Sequence, residues 1–275
     1  MKKSFVLIVL LLGAALQVPA FRSDTLSVYS TKMSRYIPAI VISPDCSAWK
    51  ACPAVYLLHG HGGNYMSWTH IRKDIGEQAD AKGCFFICPD AENSWYWDSP
   101  ANPGSQFETF VSRELPEYID SHYSTLADKR FRAIMGLSMG GHGAIYLAFR
   151  HPDVFGACGS TSGGLDIRPF PLSWNMSDQL GPMEQNMEVW NRHSAINQIP
   201  LIHNGELSII IDCGDDDFFL EVNKEFHSRL LGAGIDHDFI TRPGVHWVDY
   251  WNNSFDYQLL FFCKFFERGR SEVKE

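Results

Sequence analysis

Among its seven cysteines the sequence has no pair of CxxC units, and the odd number, Cys46, Cys52, Cys84, Cys88, Cys158, Cys213 and Cys263, does not make a disulfide framework. A zinc ribbon and a small disulfide-stapled scaffold are thereby excluded. Beyond residue 20 no apolar run reaches the roughly 20 residues that a membrane-spanning helix needs. Internal repeats and low-complexity linkers are also missing. Positive charge is in deficit, with 23 Lys and Arg against 32 Asp and Glu and a formal net charge of −9. Such a surface repels phosphate backbones and anionic headgroups, so no nucleic-acid partner is expected.

What is present is the composition of a folded globular chain of 275 residues: 45% hydrophobic, 13% aromatic and 20% charged. The first twenty residues stand apart. Lys2 and Lys3 precede an unbroken apolar run from Phe5 to Leu12, and Val18-Pro19-Ala20 offers small residues where an exporting peptidase cuts. Residues 1–20 therefore read as a cleaved signal peptide, and the product as exported, periplasmic or secreted, with no stable membrane insertion after cleavage. Cleavage removes two lysines and no acid, which leaves 21 basic residues, 32 acidic ones and a net charge of −11. Residues 21–275 suffice for a single domain that buries about three quarters of its unfolded surface. Cys84, Cys88, Cys158 and Cys213 lie in apolar segments and read as core residues. Cys46 and Cys52 flank a loop and could pair in an oxidising compartment.

Short apolar runs recur at Tyr36–Ser43, Ala54–Leu58, Cys84–Cys88, Phe131–Leu137, Ala157–Ser160, Leu207–Asp212 and Asp238–Thr241, each bounded by Gly, Pro, Asp or Ser as strands are. Helical periodicity lies between several of them, as in Phe107, Phe110, Val111, Leu115, Tyr118 and Ile119, or Ala144, Ile145, Leu147 and Ala148. Alternating strands and helices imply an α/β fold: a mostly parallel central sheet covered on both faces, with an antiparallel N-terminal edge of one or two strands because no helix separates Ser43 from Ala54. The stretch Leu165 to Ile199, with Pro169, Pro171, Gly181, Pro182, Trp174 and Trp190, has no sustained period and is a candidate cover for a cleft. The aromatic-rich stretch Tyr257–Phe266 reads as a buried helix face, with a homo-oligomer contact as the alternative.

Gly136-Leu137-Ser138-Met139-Gly140 stands between a strand and a helix, and its glycines allow a turn tight enough to expose the serine hydroxyl. This is the pattern of a nucleophile elbow. A serine needs a base to take its proton and an acid to orient that base, supplied in this architecture in the order serine, acid, histidine on loops after later strands. The strand ending at Asp212 is followed by Asp215, Asp216 and Asp217, and the strand near Phe239 and Ile240 by Pro243-Gly244-Val245-His246-Trp247. Of eleven histidines, His59, His61, His70 and His122 precede the serine, and His142, His151 and His227 belong on or beside helices. His193, His203 and His237 lack the loop that follows the strand after the acid, which leaves His246. One oxyanion donor is expected from the amide of Met139, and the second from an early glycine-rich loop, for which Leu58-His59-Gly60-His61-Gly62-Gly63 qualifies. The three aspartates fit no known calcium loop, and His59 with His61 lacks a third ligand, so no metal and no cofactor are expected.

At this point the sequence resembles the esterase D-like branch of the α/β-hydrolases. That branch includes S-formylglutathione hydrolases, tributyrin esterases, feruloyl and acetylxylan esterases of carbohydrate esterase family 1, and mycolyltransferases of the antigen 85 group. The resemblance rests on Tyr56-Leu57-Leu58-His59-Gly60, Gly136 to Gly141, Gly214 through Asp217 to Phe219-Leu220, and His246 with the aromatics after it, and runs from about Ser27 to Phe266. It implies an α/β-hydrolase fold and selects Asp217 over Asp215 and Asp216. It also implies that the second oxyanion donor is the amide of His61, and that the segment Asp90 to Pro100 lies beside the site. Trp68, Trp95, Trp97, Trp247 and Trp251 then become candidate flat faces for an aryl or sugar group, with Trp95, Trp97 and Trp247 as the substrate-binding expectation.

The expected function is a serine carboxylesterase acting on small or carbohydrate-linked esters of acetyl or feruloyl type. The alternatives are an acyltransferase of the mycolyltransferase type with the same triad, a peptidase on the same fold, and a noncatalytic binding protein on the same scaffold. The only expected partner is a small-molecule or glycan ester substrate.

Overall fold

The computed structural model describes residues 21–45 and 50–272. The expected leader and Cys46, one half of the expected Cys46–Cys52 bond, lie outside the described residues. Eight strands form one sheet: β1 (Arg22–Ser30), β2 (Arg35–Ser43), β3 (Ala54–Leu58), β4 (Phe85–Pro89), β5 (Arg132–Leu137), β6 (Ala157–Thr161), β7 (Ser208–Gly214) and β8 (Asp238–Arg242). Their spatial order is β1-β2-β4-β3-β5-β6-β7-β8. From β4 to β8 every pairing is parallel, whereas β2 is antiparallel to both β1 and β4. The antiparallel edge is thus there, but its second strand is Arg22–Ser30 and not Ala54–Leu58, which lies in the parallel core. In β1 the polar Ser23, Asp24 and Ser27 give an exposed edge strand with little buried surface, which is why no apolar run marks it.

The central strands β3 to β7 are buried along almost their whole length because helices cover both faces. Side chains alternate across the sheet. Tyr56, Leu58, Ile134, Ile209 and Ile211 face one cluster with the helices Met139–Arg150 and Leu220–Gly232. Val55, Leu57, Ala133, Met135 and Ile210 face the other, where Phe255, Leu259, Phe262 and Phe266 of the C-terminal helix Val248–Glu272 pack. These phenylalanines account for the aromatic stretch as a buried face, while Tyr257 lies over the Arg242 guanidinium, 4.0 Å from ring centroid to carbon. The periodic segment at Phe107 is a helix broken by one π turn, Phe110–Glu114, before Leu115–His122. Its buried Glu108 holds the end of the Met139–Arg150 helix by accepting from Tyr146 Oη (3.1 Å), Arg150 Nε (2.7 Å) and His151 Nε2 (3.0 Å). Burial disfavours that carboxylate, but the bonds from His151 and Arg150 outweigh it and hold its pKa below the ordinary value. Among the described residues no helix is long and apolar enough to cross a membrane.

Candidate active site

Strand β5 ends at Leu137 and the next helix starts at Met139, so Ser138 alone makes the turn, at φ 55° and ψ −117°. A non-glycine residue pays strain there. Close packing of backbone on backbone enforces the turn: a Cβ on Gly136 would lie 2.2 Å from the Gly140 oxygen, and one on Gly140 2.4 Å from the Leu58 oxygen. The Ser138 amide donates to the Thr161 oxygen at 2.9 Å and ties the elbow to β6.

The serine Oγ lies 2.9 Å from His246 Nε2, and His246 Nδ1 lies 2.9 Å from Asp217 Oδ2 and 3.1 Å from Oδ1. A carboxylate can only accept, so Nδ1 carries the proton and Nε2 is left to accept from the serine hydroxyl. The sheet brings these residues together because β7 and β8 are parallel neighbours, with Gly214 opposite Arg242. Their loops leave side by side and are bonded to each other, Asp215 N–H to the Arg242 oxygen (2.8 Å) and Asp216 N–H to the Gly244 oxygen (3.0 Å). Asp215 and Asp216 point to solvent, whereas the Asp217 carboxylate is buried. Beneath the loops, buried Asp212 accepts from Arg242 (2.6 Å) and Ser254 (2.8 Å), a brace that motif spacing did not reveal.

The early loop lies across from the elbow. Gly60 to Gly63 form a turn closed by Gly63 N–H to the Gly60 oxygen, 3.0 Å, which leaves the amide of His61 outside the turn's own bonding. The segment after β4 buttresses this loop. Asn93 Oδ1 accepts from Gly62 N–H (2.7 Å), Tyr96 Oη donates to the His59 oxygen (3.0 Å), and His59 Nε2 accepts from Ala91 N–H (3.0 Å). That last bond fixes the His59 tautomer, with Nδ1–H donating to the Gly60 oxygen at 2.8 Å. Burial pushes the His59 pKa down, and the two bonds engage both ring nitrogens in structure. No group of three or more metal-ligating side chains occurs among the described residues.

A cavity of about 440 Å³ opens over Ser138, walled by Gly60–Gly63, Leu137, Trp174, Phe218, Trp247 and Trp251. Trp247 is exposed on its rim. Trp95 and Trp97 are corrections to the sequence reading. They are 1% and 0% exposed, stack on each other at 5.7 Å, and pack against His142, away from the cavity. The chain passes Trp95 and Tyr96 with φ of 57° and 63°, which turns the rings into the core. Trp95 still reaches the site indirectly, since its Nε1 donates to the oxygen of Trp174 at 3.3 Å. Trp174 belongs to the Leu165 to Ile199 stretch, the expected cover of a cleft, and lines this cavity, whereas Phe218, beside the acid, carries no sequence signal as a cavity wall. Their rings stack at 5.7 Å, and Phe218 lies 4.3 Å from the His246 ring.

The helix that follows Ser138 carries fully buried His142, whose Nε2–H donates to the His193 oxygen at 2.9 Å. Burial drives its pKa from 6.5 down to about 3. The unfolded chain therefore binds a proton below pH 6.5 that the folded chain refuses, so stability falls as pH drops from 6.5 toward 3 and is unaffected by this group above 6.5. At pH 5 the loss from His142 amounts to about 2 kcal/mol. Urea midpoints at pH 7.5 and pH 5 should differ accordingly, and His142→Gln should flatten the difference; an equal pH dependence in both proteins contradicts the assignment.

A mostly parallel eight-stranded sheet with a serine elbow after β5, an acid after β7 and a histidine after β8 is the architecture of the α/β-hydrolases. The chain belongs to the family described as "Putative esterase", whose model matches residues 30–262. An esterase of Mycobacterium tuberculosis is 29% identical over 238 residues, which cover 75% of this chain and 51% of that protein. The chain thus spans about half the length of that relative. An acetyl esterase of Caldicellulosiruptor saccharolyticus is 28% identical, with 72% of this chain and 78% of the relative aligned. Among solved structures, a ferulic acid esterase superposes with a TM-score of 0.76 at 28% identity, covering 90% of this chain and 98% of its own.

Proposed function

We propose that this protein is an exported serine carboxylesterase that hydrolyses small or carbohydrate-linked esters, of acetyl or feruloyl type, through an acyl-enzyme. The observation that carries the reading is the continuous relay from Ser138 Oγ through His246 to the buried Asp217, with both links at 2.9 Å. Ser138 attacks the ester carbonyl while His246 Nε2 takes its proton. The amides of His61 and Met139 donate to the oxyanion that forms. His246 then returns the proton to the leaving alcohol, and a water activated by the same base cleaves the acyl-enzyme. Asp217 holds the tautomer and offsets the transient imidazolium charge. Phe218 and Trp247, 53% and 62% exposed, leave the cavity open to that water, which favours hydrolysis over transfer to another alcohol. Residues 1–20 serve as the leader and 21–275 as one hydrolase domain.

A serine-directed phosphonate should label the protein at one site and fail to label Ser138→Ala. Initial rates on matched acetyl, butyryl and feruloyl esters then identify the acyl group. A protein that takes no label and turns over no ester is a binding protein on this scaffold instead.

A further inference from the structure

The hydrogen and the lone pair on the imidazole nitrogens lie in the plane of the ring. The bonds to Ser138 and Asp217, each 2.9 Å, therefore occupy two edges of His246 and leave its faces open. Aromatic side chains take up what remains. The Phe218 ring covers one face, with centroids 4.3 Å apart and planes tilted by 37°. Phe219 and Trp251 approach nearly perpendicular, at 5.5 Å and 77° and at 5.1 Å and 85°. Phe218 keeps 53% of its surface exposed, so burial is not what places it there. Its backbone is pinned by its neighbours, since Phe219 N–H donates to Asp217 Oδ1 at 2.8 Å and Leu220 N–H to the Asp217 main-chain oxygen at 2.9 Å. Its ring is backed by Trp174, stacked with a tilt of 19°, and Trp174 is pegged through its oxygen by the buried Trp95. A column of rings thus leads from the core through Trp174 and Phe218 to the base.

We infer that Phe218 is a positioning residue that acts through His246: its ring face aligns the imidazole and attracts the positive charge that the imidazole carries during the reaction, an inference that rests on the esterase reading. As Ser138 Oγ bonds to the carbonyl carbon, its proton passes to His246 Nε2 and the ring becomes an imidazolium. It stays one until the proton moves to the leaving oxygen as the ester C–O bond breaks. Asp217 meets that charge along one edge. The negative face of Phe218 meets it from above, well inside the roughly 6 Å over which an aromatic ring attracts a cation. The charge is absent from the free enzyme and from the substrate complex, so the attraction lowers the barrier without tightening substrate binding. An aliphatic side chain would fill the same space, but it has no quadrupole.

The test places phenylalanines with one, two and three ring fluorines at this position, because fluorine drains the ring face of negative charge with little change of shape. On the alkyl ester that the parent prefers, kcat should fall stepwise with each fluorine, by about fivefold at three, while KM stays constant. Phe218→Leu should lose at least as much, and Phe218→Tyr, which keeps the aromatic face, should recover most of that loss. A kcat that does not follow the fluorines, or a loss in Phe218→Leu that lies in KM alone, overturns the inference and leaves Phe218 as cavity wall only. The same series is read without ester turnover. Phosphonylation forms the Ser138 O–P bond, expels the leaving group of the reagent and likewise puts the serine proton on His246. If the parent cleaves no ester the esterase reading fails and the labelling rate alone decides: a rate that falls with fluorination supports the role of Phe218, whereas a flat rate or no label refutes it.

Discussion

Ser138→Ala is expected to lower kcat by a factor on the order of 10⁶ on whichever ester the parent prefers. The alanine leaves the oxyanion donors and the cavity in place but no nucleophile for His246 to activate. What remains is a slow attack by water within the pocket. Serine and histidine act as one unit, so the double variant Ser138→Ala with His246→Ala should be about as slow as either single variant. Any residual rate in the variant that a serine-directed phosphonate abolishes belongs to a trace of another hydrolase, since the variant has no Ser138 to label. A loss of less than about tenfold would remove Ser138 from the mechanism.

Asp217→Asn should cost about 10⁴ in kcat with little change in KM. The structure gives a specific reason for so large an effect from a nearly isosteric change. Asp217 Oδ1 accepts from Phe219 N–H at 2.8 Å, and Oδ2 faces His246 Nδ1. An asparagine would keep its oxygen against that amide and turn its NH₂ toward the histidine. Nδ1 would then have to accept, the proton would move to Nε2, and the imidazole would no longer take the serine proton. With the carboxylate buried, no water can substitute for it. Asp216→Asn, whose side chain lies in solvent one residue earlier, should stay within about twofold of the parent, and steady-state rates on one ester settle the comparison.

The parts of the site that could be read in sequence are those whose chemistry forces a pattern. A serine elbow needs small residues around it, and a histidine that follows the last strand has few competitors, so Ser138 and His246 stand out from residue type and order. Three adjacent aspartates are chemically equivalent in a string of letters. Only the resemblance selected Asp217, and in the fold burial separates it from Asp215 and Asp216. The tryptophans show the opposite limit. A Trp in a loop has the same signature whether it lines a cleft or fills a core, and what distinguishes Trp95 from Trp247 is the left-handed backbone at Trp95 and Tyr96, which no propensity announces. The absence of a period marked the stretch around Trp174 as a candidate cover but could not say which of its side chains, Trp174 or the buried Trp190, meets the cavity. Most of the parallel strands were legible because each carries a short apolar run between turn residues, and β1 was not because an exposed edge strand need carry none.

The contact between Gly140 and the end of β3 has a bearing on how this protein can diverge. The amide of Met139 belongs to one backbone segment and that of His61 to another, and the two segments meet main chain against main chain at Gly140, where a Cβ would lie 2.4 Å from the Leu58 oxygen and 2.7 Å from the His59 oxygen, while Gly60 lies against the Leu137 side chain. The spacing of the two amides is then governed by covalent geometry and three glycines, Gly60, Gly136 and Gly140. Side chains elsewhere in the core can drift by substitution without altering it. The aromatic walls of the cavity, by contrast, consist of side chains, three of them (Trp174, Phe218 and Trp247) on loops and turns and Trp251 in the first turn of the C-terminal helix. Lineages carrying this scaffold are free to change what they accept while the chemistry at the carbonyl stays constant.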